Sequence, residues 1–178
     1  MSVGSARGFS LIESLVAIGI LSFGLLALAA GFAQGLQSMS GSGYDILARE
    51  KAAEAIESVY TARDTRTITW DEIRNVQGET GADGGIFFDG ARPLTRPGAD
   101  GLVNTEDDGD EVEALVRPGP DGLLGTDDDV AQPLTQFTRE VEIRELGPSL
   151  RQLRVIIRYT VGTTTREYII ATYISSYA

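Results

Sequence analysis

The chain has 178 residues, a formal net charge of −11 at neutral pH and a pI near 4.4, a balance that excludes the basic face a nucleic-acid-binding protein needs and equally opposes docking on anionic lipid. It contains no cysteine and no histidine, so it has no disulfide framework, no thiolate metal site, and neither the commonest general base nor the commonest transition-metal ligand. An enzyme is therefore not expected, although the composition leaves carboxylate-based hydrolysis open.

The chain opens with a short polar leader, Met1 to Gly8, carrying Arg7, followed by an apolar run from Phe9 to about Leu36. A bilayer-spanning helix needs roughly 20 mostly apolar residues, and this run is long enough. It holds one carboxylate, Glu13, in its second turn. On insertion scales a charge there costs roughly 2.5 to 3.5 kcal/mol, so Glu13 calls for a partner. The available cations are Arg7, the chain's own amino terminus, or a group from another copy. Cleavage between Gly8 and Phe9 creates an α-amino group at the end of the apolar helix, within reach of Glu13 on a neighbouring copy. An ordinary secretory signal peptide, with Ala27-Leu28-Ala29 as its cleavage site, has a shorter apolar core of about 7 to 15 residues, and Glu13 counts against it. For an uncleaved signal anchor Glu13 is an unexplained cost.

Gly8-Phe9-Ser10-Leu11-Ile12-Glu13 and the apolar run behind it resemble the class III leader and N-terminal segment of type IV pilins and type II secretion pseudopilins. The resemblance implies that a prepilin peptidase cuts after Gly8 and N-methylates Phe9, and that Glu13 becomes the fifth residue of the mature chain. It is close over roughly the first 30 residues and loose beyond them. The lack of cysteine departs from those pilins that staple a C-terminal loop with a disulfide.

Gly31, Gly35, Gly41 and Gly43 then interrupt the apolar pattern, each interior glycine costing a helix roughly 1 kcal/mol relative to alanine; helix continuity through Gly41 to Gly43 is left open. From Tyr44 to Tyr60 the helical signal is strong. Leu47, Ala48, Ala52, Ala55, Ile56, Val59 and Tyr60 recur at offsets of three and four, forming one apolar stripe opposite charged residues. That stripe is expected to pack on a sheet.

Between Thr65 and Gly90 the signals are weak: a helical turn over Trp70 to Val76, and a short strand at Ile86-Phe87-Phe88. An internal repeat follows, in which Pro97-Gly98-Ala99-Asp100-Gly101-Leu102-Val103-Asn104-Thr105-Glu106-Asp107-Asp108 aligns with Pro118-Gly119-Pro120-Asp121-Gly122-Leu123-Leu124-Gly125-Thr126-Asp127-Asp128-Asp129. Val112 to Val116 reads as a strand between the copies. The last third is the clearest β signal: Glu140 to Leu146, then Leu153 to Val161 in alternation, then Tyr168 to Ile174, joined by turns at Gly147-Pro148-Ser149 and Gly162-Thr163-Thr164. Three such strands imply an antiparallel meander with one face buried.

Each acidic copy offers hard oxygen ligands within about ten residues, the ligand type that Ca²⁺ takes six to eight of. The candidates are Asp100, Asp107 and Asp108 in the first copy and Asp121, Asp127, Asp128 and Asp129 in the second, which is the better one because Gly125 is permissive. The spacing is not that of an EF-hand, although the second loop resembles acidic loops of some pilins and of calcium-dependent major pseudopilins. Solvated acidic turns are the competing account, since Asp and Gly dominate turns.

The expected fold class is α+β: a leader over 1–8, a membrane or filament-core helix over 9–36, an amphipathic helix over 37–64, and a head over 65–178 with acidic loops at 97–129 and a β-meander at 137–175. The expected function is that of a structural subunit of a pilus or pseudopilus. Its expected partners are copies of itself and other pilin-like subunits, a prepilin peptidase and an inner-membrane assembly platform. Its expected location is the bacterial inner membrane, single-pass with the N terminus cytoplasmic before processing, and then an extracytoplasmic filament. The rival is a membrane-anchored or secreted Ca²⁺-dependent binding module that never polymerises.

Overall fold

The computed structural model describes residues 10–76 and 84–177, without the side chains of residues 37–40. A single helix, α1, runs Leu11–Asp64, and the chain divides into two compact units, Met1–Ser42 and Gly43–Ala178. Helical backbone continues through Gly41, Ser42 and Gly43, answering the question the glycines raised. Apart from Glu13 near its start, the first unit's part of α1 is predominantly apolar on every side; Leu11, Phe23 and Phe32 are 82%, 78% and 74% exposed. A helix with that composition is stable only where lipid or other protein covers it.

In the second unit the same helix becomes amphipathic. Leu47, Ala48, Ala52, Ala55, Ile56, Val59 and Ala62 are buried, each large one contributing about 1.5 to 3 kcal/mol on burial. Their cover is a four-stranded antiparallel sheet in the order β1-β4-β5-β6, with β1 at Arg92–Pro93, β4 at Phe137–Gly147, β5 at Leu150–Val161 and β6 at Thr164–Ser175. Strands β2 (Ala114–Arg117) and β3 (Val130–Pro133) form a separate antiparallel hairpin. Strand alternation sends Phe137 and Val141 on β4, and Leu153, Val155, Ile157, Tyr159 and Val161 on β5, into the core. Phe137 and Tyr159 stack at 5.3 Å, and Tyr44 meets Phe137 edge-on at 5.5 Å. On the opposite face Ile156 is also buried, beneath the pairs Arg158–Glu140 (2.5 Å) and Arg154–Glu142 (2.9 Å).

The meander follows the alternation seen in the sequence, with longer strands. Val161 pairs with Thr164, leaving a two-residue turn with Gly162 at φ +61°, the position where a type II′ hairpin uses glycine. Three expectations need correction. Trp70 to Val76 is not helical but a run of turns and bends ending in a bridge from Asn75 to Phe87. The start signal is real, because Glu72 accepts from both the amide and the hydroxyl of Thr69 at 2.6 and 2.7 Å in capping-box fashion. Arg151 then takes the carbonyls of Trp70 and Ile73, acceptors that a continuing helix would use. The strand at Ile86 to Phe88 reduces to that single bridge, since Phe88 donates instead to the carbonyl of Asn104 at 2.7 Å. The strand at Val112 to Val116 is shifted to Ala114–Arg117, in register with β3; Val112 makes only an isolated bridge to Thr95. Strands β1 and β3 are too short to show alternation and leave no signal in the sequence.

Candidate functional site

Two regions carry the residues singled out from the sequence. The first is the start of α1. Gly8 and Phe9 lie outside the described residues. Glu13 sits exposed in the first turn of α1, with exposed apolar neighbours Leu11, Ile12, Leu15 and Val16. Acid in a first helical turn complements the positive end of the helix dipole. A lone carboxylate on an otherwise apolar surface is what a charge-pairing contact at an apolar interface requires. The helix is long and apolar enough to cross a membrane.

The second region is the pair of acidic loops, whose repeat is one of three-dimensional structure as well as of sequence. In the first, the Asp100 amide donates to Asp107 Oδ2 at 3.1 Å, the Leu102 amide to Asp100 Oδ1 at 2.7 Å, and the Asn104 amide to Asp108 Oδ2 at 2.8 Å. The second repeats each bond, from Asp121 to Asp128 at 3.1 Å, from Leu123 to Asp121 at 2.8 Å, and from Gly125 to Asp129 at 2.6 Å. The hydroxyls of Thr105 and Thr126 donate to Asp107 and Asp128 at 3.0 and 2.6 Å. Gly98 and Gly119 are required by contact: a Cβ on either would lie 2.3 or 2.4 Å from the carboxyl carbon of Asp107 or Asp128.

These aspartates are therefore acceptors for their own loop. Among the described residues no group of three or more acidic side chains converges as a cation cage. Asp127 is exposed and Asp128 half-buried. The Thr126 hydroxyl and the Asp121 amide lower the pKa of Asp128. Burial pushes Asp107 up, but the Asp100 amide and the Thr105 hydroxyl outweigh it, and its pKa is lowered. Asp100 is raised, chiefly by burial. The copies differ at one carboxylate: Asp108 uses both oxygens, on Thr105, Thr95 and Asn104, whereas Asp129 Oδ1 is shut from solvent with no hydrogen-bond partner.

Sequence reasoning missed the ionic network that locks the first loop to the sheet. Arg139, 1% exposed, donates through Nε to Asn104 Oδ1 at 2.9 Å and through Nη2 to the Thr95 carbonyl at 3.1 Å, with Glu113 Oε1 3.5 Å from its Nη1. Asn104 returns a bond to the Arg139 carbonyl at 3.1 Å. Glu113 also meets Lys51 of α1 at 2.5 Å. Burial pulls the Lys51 pKa down, but Glu113 and Glu54 reverse this and raise it; burial lowers that of Arg139. A signal existed, since Arg139 has the odd-numbered register of the inward-facing Val141 and Ile143.

No curated protein and no solved structure matches the chain. Residues 4–29 match the family described as the prokaryotic N-terminal methylation motif. That match spans Gly8, Phe9 and Glu13, so the chain carries at its N terminus the signature of type IV pilin and pseudopilin prepilin-type cleavage.

Proposed function

We propose that this protein is a structural subunit of a type IV pilus or type II secretion pseudopilus, cut between Gly8 and Phe9, N-methylated on Phe9, and polymerised through its N-terminal helix. The observation that carries this reading is the methylation motif on an apolar helix interrupted by the single carboxylate Glu13. In the filament the apolar segments bundle, and small residues such as Gly19, Gly24, Ala27 and Ala30 permit close approach. Glu13 offsets the Phe9 amine of an adjacent subunit. The head's sheet and loops then face outward, as a binding and structural surface rather than a catalytic one.

Intact-mass and N-terminal peptide mass spectrometry on the native membrane or filament fraction tests this. A chain beginning at Phe9 with one added methyl group is expected. A start at Ala30 means an ordinary secreted protein, and an intact Met1 end favours the anchored, non-polymerising binding module. Glu13→Ala should be cleaved normally yet enter filaments poorly; normal filament yield from it removes the charge-pairing argument.

A calcium ion at the second loop is the further part of this reading, supported by the partnerless Asp129 Oδ1 in a loop that also carries Asp121, Asp127 and Asp128. The first loop, with Asp100, Asp107 and Asp108, is the weaker candidate because its oxygens are already engaged. Binding to the folded state stabilises it by about 2.7 kcal/mol at a hundredfold excess over the dissociation constant. A melting curve that is the same in excess calcium and in chelator retires this part of the proposal.

A further inference from the structure

An aspartate followed by glycine is the pair at which a peptide chain most readily rearranges through its own side chain. With no Cβ on the glycine, its amide nitrogen meets little obstruction on the way to the carboxyl carbon of the aspartate. The sequence has five such pairs, at 83–84, 89–90, 100–101, 108–109 and 121–122; residue 83 lies outside the described residues.

Three of the other four are tied at both reacting groups. The Gly101 amide donates to the Gly98 carbonyl at 3.2 Å, while Asp100 Oδ1 accepts from the Leu102 amide at 2.7 Å. The second loop repeats this, with Gly122 donating to the Gly119 carbonyl at 3.0 Å and Asp121 Oδ1 accepting from Leu123 at 2.8 Å. At 108–109 the Gly109 amide donates to the Arg96 carbonyl at 3.3 Å, and both oxygens of Asp108 are bonded, to Thr95, Asn104 and Thr105. A nitrogen held by a carbonyl and a carboxylate held by donors meet only when both bonds open.

Asp89-Gly90 is the exception. Both residues and Ala91 are exposed, and among the described residues neither the Asp89 carboxylate nor the Gly90 amide has a hydrogen-bond partner. Gly90 sits at φ +78°, with nothing within 4 Å of the place a Cβ would take, so the turn has space around it. The residues on either side are fixed. The Phe88 amide donates to the Asn104 carbonyl at 2.7 Å, and the Phe88 carbonyl accepts from Asn75 at 3.3 Å. Arg92 lies over the Phe88 ring at 3.8 Å and pairs with Arg139 in the sheet.

We propose that Asp89-Gly90 is a site of spontaneous isoaspartate formation, which lengthens the main chain at the entry to β1. The Gly90 nitrogen attacks Asp89 Cγ and a C–N bond forms. The carboxyl hydroxyl leaves with the amide proton as water, and a succinimide ring closes. Water then adds to either ring carbonyl. Breaking the bond from nitrogen to the Asp89 main-chain carbonyl carbon leaves the chain running through Cγ, which is isoaspartate; breaking the new bond regenerates aspartate. The only reactants are the chain and water, mass is unchanged, and the chemistry is independent of whether the protein polymerises. The product carries one extra main-chain carbon between Phe88 and Arg92, both held in place by the contacts above. That length is taken up by β1 and the residue after it, Leu94, which is 0% exposed and whose carbonyl accepts the Glu113 amide at 2.8 Å.

The test is mass spectrometry with electron-transfer fragmentation, which distinguishes isoaspartate from aspartate, on full-length protein kept warm in detergent and, in parallel, with the head unfolded in guanidinium. In the folded protein isoaspartate at 89 should build up on the order of tenfold faster than at 100, 108 and 121, since each of those pairs must first release two or more hydrogen bonds. In guanidinium the four positions should converge. Equal rates in the folded protein overturn the proposal. A difference that survives guanidinium overturns it too, because sequence and not structure would then set the rate. Asp89→Glu, which would have to close a larger ring, should abolish the signal at 89 and leave the melting temperature unchanged. Chains separated with isoaspartate at 89 should exchange the Glu113 amide faster than chains without it; identical exchange overturns the effect on β1.

Discussion

The two acidic loops share a sequence pattern and a hydrogen-bond network, yet one is built into the core and the other stands in solvent. Leu102, Val103, Asn104 and Thr105 are 0 to 3% exposed, whereas Leu123 and Leu124 are 63% and 65% exposed. Asn104 adopts φ +63° and Gly125 φ +88° at the same place in the turn. Asn tolerates that conformation better than most residues, and at this point its side chain also binds Arg139. Local chemistry thus shapes the loop by itself, through bonds spanning two to seven residues. Burial depends on what the flanking chain brings near: β1 and the Thr95 bridge hold the first loop against the sheet, while the second only closes the β2–β3 hairpin.

Truncating the apolar residue of each loop separates local shape from burial most sharply. Leu102→Ala should cost about 3 kcal/mol, within the range for core leucines, and Leu123→Ala less than about 0.5 kcal/mol, both read by chemical denaturation. Equal losses would break the distinction between a core loop and a solvent loop.

Gly98→Ala and Gly119→Ala test whether the shared network is needed in both places. Each forces its loop apart by overpacking, at about 1 to 3 kcal/mol. In the first loop that cost should appear as a lower melting temperature of the whole head. In the second it should appear as faster amide exchange confined to residues 118–129, with the head's melting temperature nearly unchanged.

Acid supplies the smallest and most discriminating effect. Asp107 and Asp128 have lowered pKa values in the folded protein. Their stabilisation is present above the ordinary carboxylate range and is lost as pH falls through those lowered values. Asp100 is raised, so its ionised form disfavours folding, and acid relieves that. The first loop therefore holds contributions of both signs. On acidification the amide resonance of Gly125 should move to its disordered position at higher pH than that of Asn104, followed by NMR. The reverse order would mean that burial, rather than the local bonds, sets the acid response.

Features that depend on near neighbours or on a simple period were legible in the chain before it folds. The methylation motif and Glu13 are read off a continuous stretch. The stripe from Leu47 to Val59 follows the helical repeat, the meander follows strand alternation, and the doubled loop closes its bonds within its own twelve residues. Tertiary structure alone decided what depends on distant elements meeting: which loop copy is buried, that Arg139 is held inside by Asn104, Glu113 and Thr95, and that Trp70 to Val76 stops short of a helix. It also decided that Asn75 and Asn104 cap the outer edge of β4, while Tyr60 and Arg63 reach the C-terminal end of β6. Each is a competition between partners far apart in the chain, and no local pattern records which partner wins.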